Sequence, residues 1–400
     1  MTTLLNIDNS PGKAKKQALA FFELAFRPFF LLASLFSIIA LLAWSAILNG
    51  NLNLNVYGGS FWWHTHEMLF GFVAAIIVGF LLTAVQNWTG VQSIHGKSLA
   101  LLVCLWLVGR ALFLFPAVVP VWLIAFVDIM FLPISAVALA RPIIKVKLWR
   151  NLMFIPILLV MTLANITMHY SVIEPSVELM TTASTTMVLL VTLVMCIMGG
   201  RVFPMFTANG TQTARVNAIP LLEKIAIIST LLALIISLNL IKVPALINAI
   251  IFFIAAAAHV VRAYRWKIWV TLKTPLVWSL HLSYWCIALG LLLFGLAELT
   301  ATVTHSQAVH TLTVGAMGTM ILSMISRVSL GHTGRAIIAS KVMTVAFIAI
   351  ISAVIIRVFG SYWFSNYNLV INFAVVLWTI AYGSFVVLYF PILTKPNARN

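Results

Sequence analysis

The chain has 400 residues, of which 62% are hydrophobic and only 8% are charged. A mean hydropathy of +1.09 excludes an ordinary water-soluble domain and predicts an all-α protein that crosses a membrane many times. The net charge of +16 does not indicate nucleic acid as a partner, because the basic residues fall between apolar runs, where they set membrane topology.

The apolar runs predict about twelve transmembrane helices, since each has roughly the 18 to 25 residues that a bilayer requires. They are centred near Ser37, Ala75, Leu105, Asp128, Val160, Leu189, Ala233, Ile251, Ala288, Gly318, Ser352 and Trp378. We therefore predict one transmembrane domain over residues 21–393, preceded by a cytoplasmic segment, 1–20, and followed by a cytoplasmic tail, 394–400.

The polar connections predict the orientation. Lys and Arg concentrate before the first run, in most of the even-numbered connections and at the end of the chain, whereas odd-numbered connections such as "NGNLNLNVYGG" nearly lack them. Because cytoplasmic connections are enriched in Lys and Arg, both termini are expected in the cytoplasm. The first span is expected to serve as its own signal anchor, since the residues before it are polar and basic.

Three short segments of similar sequence indicate an internal repeat. "NWTG" follows the second span, "RVFPMFT" the sixth and "RVSLGHT" the tenth. Three four-helix units, the architecture of heme-copper oxidase subunit I, would place these spans equivalently. Chance similarity is the alternative, because the matches are short.

Histidines at two depths are the main candidate site residues, since ionisable groups inside a bilayer need a partner, a metal or water. His64, His66 and His310 lie just inside the predicted outer ends of the second and tenth spans, with His305 nearer the edge. They form a predicted outer group of metal ligands. Histidines that line a water-filled mouth of the bundle are the alternative.

A second group is predicted at the cytoplasmic end. His259 ends the eighth span, His281 begins the ninth, and His332 follows the tenth. Two histidines at one depth on antiparallel neighbours suit the axial positions of a heme, although a hydrogen-bonded pair of core histidines is the alternative. Arg327 and Arg335 are placed to bind a heme propionate.

The stretch "WWHTHEMLFGF" combines two of these histidines with a glutamate. At about 100° per residue, His64 and His66 project roughly 200° apart, so a regular helix cannot direct both to one ion. The second span is therefore predicted to stand between two sites. Glu67 lies close to the face of His64, where it is predicted to orient that ring or to act in catalysis as a proton-handling carboxylate.

Three charged residues are given structural roles. Arg110 and Asp128, on the third and fourth spans, are predicted to form a buried ion pair, because neither charge is stable alone in a bilayer. Arg27, before Pro28, is predicted to anchor the first span at the interface.

Several long motifs resemble the NnrS family. They are "FFELAFRPFF", "WHTHEMLFGFVAAIIVGFLLTAVQNWTG", "GRVFPMFTANG", "WSLHLSYWC" and "VHTLTVGAMGTMILSMISRVSLGHTGR". The resemblance implies a protein of the bacterial inner membrane that contains heme b and copper, acts in nitric oxide metabolism and protects against nitrosative stress. By motif position it implies metal-binding roles for His64, His66, His281, His310 and His332, with His259 beside them.

The expected function is reduction of nitric oxide to nitrous oxide, with electrons from a quinol or a redox protein. We expect the pair His259 and His281 to hold an electron-accepting heme, and the outer group to hold the metal that binds nitric oxide. Two alternatives stay open: a transporter that exports nitrosylated metal complexes, and a heme protein that binds nitric oxide without turnover.

Overall fold

The computed structural model describes residues 20–398, within which every regular element is a helix. The predicted N-terminal segment lies outside these residues except for residue 20, as do residues 399–400 of the predicted tail. The long helices are α1 Phe26–Leu48, α2 Ser60–Thr89, α3 Gly96–Leu112, α4 Val121–Lys145, α5 Trp149–Ile173, α6 Val177–Thr211, α7 Pro220–Ser237, α8 Ala245–Arg265, α9 Pro275–Leu299, α10 His305–His332, α11 Lys341–Tyr362 and α12 Tyr367–Thr394.

Each predicted span centre lies in one of these helices, which confirms the all-α polytopic fold. Among residues 20–398, eleven helices are long and apolar enough to cross a membrane, and α3, with 17 residues, completes the set. At about 1.5 Å per residue, α3 is about 25 Å long, close to the thickness of a bilayer core.

The two ends of the described chain meet at one end of the bundle. Arg27, at the start of α1, donates hydrogen bonds to the carbonyl oxygens of Leu393 (3.1 Å) and Lys395 (2.6 Å), at the end of α12. An odd number of crossings would separate these residues by the thickness of the membrane, so this contact supports twelve crossings, including α3. That this end faces the cytoplasm stays a prediction.

Arg27 differs from its predicted interfacial role, because its side chain is fully buried. Besides the two carbonyls, it donates to the side-chain oxygen of Asn397 at 2.8 Å. Carbonyl groups in the last turn of a helix have no partners within the helix, and a nearby cation both satisfies them and complements the helix dipole. Arg27 therefore fastens α12 to α1.

Helices α2, α6 and α10 are the most buried of the eleven candidate spans within residues 20–398. The buried share of the most apolar part is 83% for α2 and 67% for both α6 and α10. Helix α6 contacts both α2 and α10. The three similar sequence segments follow these same helices, so their central position agrees with a threefold arrangement. That arrangement itself stays a prediction.

Glycines allow close helix packing, as at Gly79 and Gly318. A Cβ atom added to Gly79 of α2 would lie 2.7 Å from the Cβ of Phe29 in α1. One added to Gly318 of α10 would lie 2.7 Å from the indole ring of Trp378 in α12. Because real Cβ contacts are longer, these helix pairs depend on the missing side chain.

Helices α2 and α10 share an irregularity beside their histidines. In α2 a π-helical stretch covers Glu67–Val73, directly after His66, and in α10 another covers Thr311–Gly318, directly after His310. A π turn bonds residue i to i+5, so it holds one more residue than an α turn and rotates the following residues out of the regular helical phase. Such turns are frequent at functional sites.

Candidate functional site

An apolar cavity of about 440 Å³ lies at the end of the bundle away from the termini. Its walls come from the ends of α1 and α11 and from the beginnings of α2, α6, α10 and α12. The polar groups on it include three imidazoles and one guanidinium; the principal lining residues are His64, His305, His310, Arg357, Trp44, Leu69, Phe72, Val309 and Trp378. Pockets of this size and composition are typical of cofactor sites.

His310 is held in a defined tautomer. Its Nδ1 lies 2.7 Å from the carbonyl oxygen of Ser306, which only accepts, so Nδ1 carries the hydrogen. The Nε2 lone pair is then free to accept from Arg357, whose Nη2 lies 3.1 Å away. Histidine ligands in metalloproteins use the same arrangement, in which one ring nitrogen donates to a fixed acceptor and the other faces the metal.

His64 faces the cavity from α2. Its ring stacks on Trp44 with a centroid distance of 4.5 Å and an angle of 8°. Its Nδ1 is buried and has no hydrogen-bond partner among the described residues. His305 is nearer the rim, with Nε2 3.3 Å from the hydroxyl of Thr185. A buried ring nitrogen without a partner is costly in a protein alone and is available to a ligand.

His66 belongs to a different, fully buried cluster on the other side of α2. Its Nε2 lies 3.1 Å from Oδ2 of Asp128, and Nε2 of His169 lies 3.0 Å from the same oxygen. The side-chain amide of Asn165 also donates to Oδ2, at 2.8 Å. The outer group is thus divided: His64, His305 and His310 share the cavity, while His66 does not. Helix α2 thus separates the cavity from this cluster, and that both are binding sites stays a prediction.

Arg110 joins two carboxylates in this cluster. It forms the predicted ion pair with Asp128, and also an ion pair with Glu67. Glu67 therefore does not orient His64. One of its oxygens is held by Arg110 and lies 4.0 Å from Nδ1 of His66, while the other is buried with no hydrogen-bond partner in the described part of the chain.

Two further residues of the cluster were missed in the sequence. His169 lies near the end of α5, and Tyr57 lies in the connection before α2. The Tyr57 hydroxyl is 3.2 Å from Nδ1 of His169. Burial raises the pKa of Tyr57 to about 12, so the hydroxyl keeps its proton at neutral pH. A depth argument applied to every histidine would have placed His169 beside His66.

The predicted inner pair lies at the end of the bundle near the termini. His259 has partners at both ring nitrogens: Nδ1 is 2.7 Å from the Tyr284 hydroxyl, and Nε2 is 3.0 Å from the Thr230 hydroxyl. His281 has Nε2 2.8 Å from the Thr207 hydroxyl, and its buried Nδ1 has no partner within residues 20–398. His259 would have to exchange hydrogen bonds to bind a heme iron, whereas His281 offers a free nitrogen.

The remaining predicted residues at this end are less enclosed. His332 is half-buried, with its ring 5.6 Å from that of Phe26. The guanidinium of Arg327 lies 3.9 Å from the ring centroid of Phe206. Arg335 is half-buried and donates a long hydrogen bond, 3.4 Å, to the Thr333 carbonyl.

Arg357 was also missed in the sequence. It interrupts the apolar run "AVIIRVFG" near the end of α11, at the depth of His310. A lone arginine inside an apolar span is a signal for a functional site, because such a charge needs a partner. Its partners are His310, the Ser306 hydroxyl at 3.2 Å and the face of Tyr367.

A family model described as NnrS protein matches residues 20–397, nearly the whole chain. The chain belongs to the NnrS family. No curated protein matches it. NnrS membership and the helices together make it a multi-pass membrane protein related to nitric oxide.

The positions of the possible ligand atoms indicate whether the cavity suits copper or heme. Among residues 20–398, only His66, Asp128 and His169 form a set of three His, Cys, Asp or Glu residues whose ligand atoms lie within 4.8 Å of one another. The ring nitrogens of the three cavity histidines do not lie this close together, so these residues do not form a three-histidine copper site. A heme fits the cavity better, because it needs only one or two imidazoles, a large apolar surface and a cation for its propionates.

Proposed function

We propose that the protein binds nitric oxide at a heme in the cavity between α1, α2, α6, α10, α11 and α12 and reduces it to nitrous oxide. The observation that carries the proposal is His310 on the cavity wall: its Nδ1 is fixed by a backbone carbonyl, so its Nε2 would exchange only the hydrogen bond from Arg357 to bind an iron. Protection against nitrosative stress would follow from removal of nitric oxide.

The residues of the cavity have separate roles in this proposal. One of the two imidazoles, that of His310 or that of His64, would hold the heme, and Arg357 would bind a propionate, in place of the more distant Arg327 and Arg335. A bound heme supplies an iron that binds nitric oxide and carries electrons. The apolar walls, including Trp44 and Phe72, admit a small neutral gas from the lipid and exclude ions.

The reaction needs protons as well as electrons, because two molecules of nitric oxide, two electrons and two protons give one nitrous oxide and one water. Glu67 is the proposed proton-handling carboxylate. It lies on α2 between His66 and the cavity-lining residue Met68, and one of its oxygens has no hydrogen-bond partner among the described residues. A quinol or a redox protein is the proposed electron donor.

Heme content tests the site independently of turnover. We expect purified protein to contain heme b, and His310→Ala or His64→Ala to lose at least half of it, whereas His95→Ala, an exposed histidine in a connection, keeps it. Full heme content in both cavity variants would overturn the cavity as the heme site.

Turnover is tested separately with an artificial electron donor. Nitrous oxide measured by gas chromatography at half the consumed nitric oxide would support the reductase. A shift of the heme absorption band by nitric oxide without nitrous oxide would instead favour a binding protein. Purified protein without any heme would refute both and favour the transporter that exports nitrosylated metal complexes.

A further inference from the structure

We propose that His66, Asp128 and His169 bind a divalent first-row transition metal ion, at a centre separate from the cavity and on the opposite side of α2. The inference does not depend on the proposed function, because none of these three residues lines the cavity. Two imidazoles and one carboxylate are a ligand set that such ions use in proteins.

The distances suit shared coordination. Oδ2 of Asp128 lies 3.1 Å from Nε2 of His66 and 3.0 Å from Nε2 of His169. Metal–ligand bonds of about 2.1 Å place neighbouring donor atoms about 3.0 Å apart at right angles and about 3.4 Å apart at tetrahedral angles. The amide oxygen of Asn165, 2.9 Å from Nε2 of His66, offers a further oxygen donor.

Hydrogen bonding within the protein leaves one buried nitrogen of the cluster unused. Without a metal, Oδ2 of Asp128 accepts from Nε2 of His169 and from the Asn165 amide, while Arg110 holds the other oxygen. Nε2 of His66 donates to the amide oxygen of Asn165 at 2.9 Å. In that tautomer Nδ1 of His66 is a buried acceptor without a donor among the described residues, 4.0 Å from a Glu67 oxygen.

Metal binding would change the tautomer of both rings. Each Nε2 would bind the ion, and each Nδ1 would carry the hydrogen. Nδ1 of His169 then donates to the Tyr57 hydroxyl oxygen at 3.2 Å, and Nδ1 of His66 faces the Glu67 carboxylate. Metal-bound histidines generally donate their second nitrogen to such acceptors.

The charges also favour a cation. Asp128 and Glu67 face a single guanidinium, that of Arg110, so with neutral imidazoles the buried cluster carries one excess negative charge. A bound ion compensates this charge where no water or lipid headgroup reaches, since the exposed fractions of these side chains are 6% or less.

The test is cobalt binding to full-length protein in detergent, after removal of loosely bound metal with a chelator. Co²⁺ reports its ligands through visible absorption bands. We expect wild type and His95→Ala to bind one Co²⁺ per chain at this site, and His169→Ala to lose it. Tyr57→Phe, which removes only the acceptor of His169, should weaken binding about 10- to 100-fold.

Two results would overturn the proposal: wild type without this cobalt signal, or a signal unchanged in both His169→Ala and Tyr57→Phe. Because Tyr57→Phe removes a single hydroxyl group, it keeps the test valid should His169→Ala misfold. Heme content is measured in the same samples, so failure of the metal centre is distinguished from failure of the cavity heme.

Discussion

Replacing Arg110 tests the electrostatic account of the buried cluster. Arg110→Met keeps a long apolar side chain but leaves Glu67 and Asp128, both nearly inaccessible, without their cation. Removing one member of a buried ion pair typically costs about 3–5 kcal/mol. Since Arg110 serves two carboxylates, we expect a loss near the upper end of that range.

The matched variant removes the charges together. In Glu67→Gln/Arg110→Met/Asp128→Asn no charge of this group remains, and buried ion pairs are generally worth little more than neutral groups of similar size. We therefore expect the triple variant to regain at least half of the lost stability. Arg150→Met, at an exposed position, is the control and should change little.

The assay is unfolding by sodium dodecyl sulfate in mild detergent, followed by tryptophan fluorescence. A chelator is included so that metal binding does not contribute. An Arg110→Met variant as stable as wild type would refute the reasoning. So would a triple variant as unstable as Arg110→Met alone, because the cost would then come from lost packing rather than from uncompensated charge.

Three further predictions concern the fold and the cavity. Arg27→Met should lower the free energy of unfolding by about 1.5–3 kcal/mol, because buried carbonyls lose a charged donor, and proteolysis should then remove the C-terminal residues faster than in wild type. Gly79→Ala should destabilise by about 1–3 kcal/mol through its contact with Phe29, whereas Gly383→Ala, with no atom within 4 Å of the added Cβ, should be nearly neutral in the same unfolding assay. His259→Ala should keep the full heme content measured by absorption if the heme lies only in the cavity, and a loss equal to that of His64→Ala would contradict that location.

The helices were predictable because a bilayer leaves a chain few choices. Backbone groups in hydrocarbon must bond within their own helix, so long apolar runs determine the fold class. The pairing of Arg110 with Asp128 was predictable for a similar reason, since two opposite charges at related depths have no other stable arrangement.

The composition of each site was less predictable. Sequence depth placed His64, His66 and His310 at one end of the bundle, and helical spacing separated His64 from His66. Which neighbours each histidine meets depends on how α2 is rotated against α5 and α10, and the sequence does not fix that rotation. His169 and Arg357 are far from His66 and His310 in the sequence, and they contact these histidines only after the helices pack together. Glu67 was assigned to His64 by the spacing of a regular helix, and the structure pairs it with Arg110 instead.

The π-helical stretches in α2 and α10 allow the two halves of each helix to vary independently. Deleting one residue from Glu67–Val73 would convert the wide turn to an α turn and rotate one half of α2 by about 100° against the other. His64 and His66 could then keep their places only if Gly79 left its close contact with Phe29. Single-residue insertions and deletions in these two stretches would therefore change which side chains face the cavity, without repacking the end of the bundle near the termini.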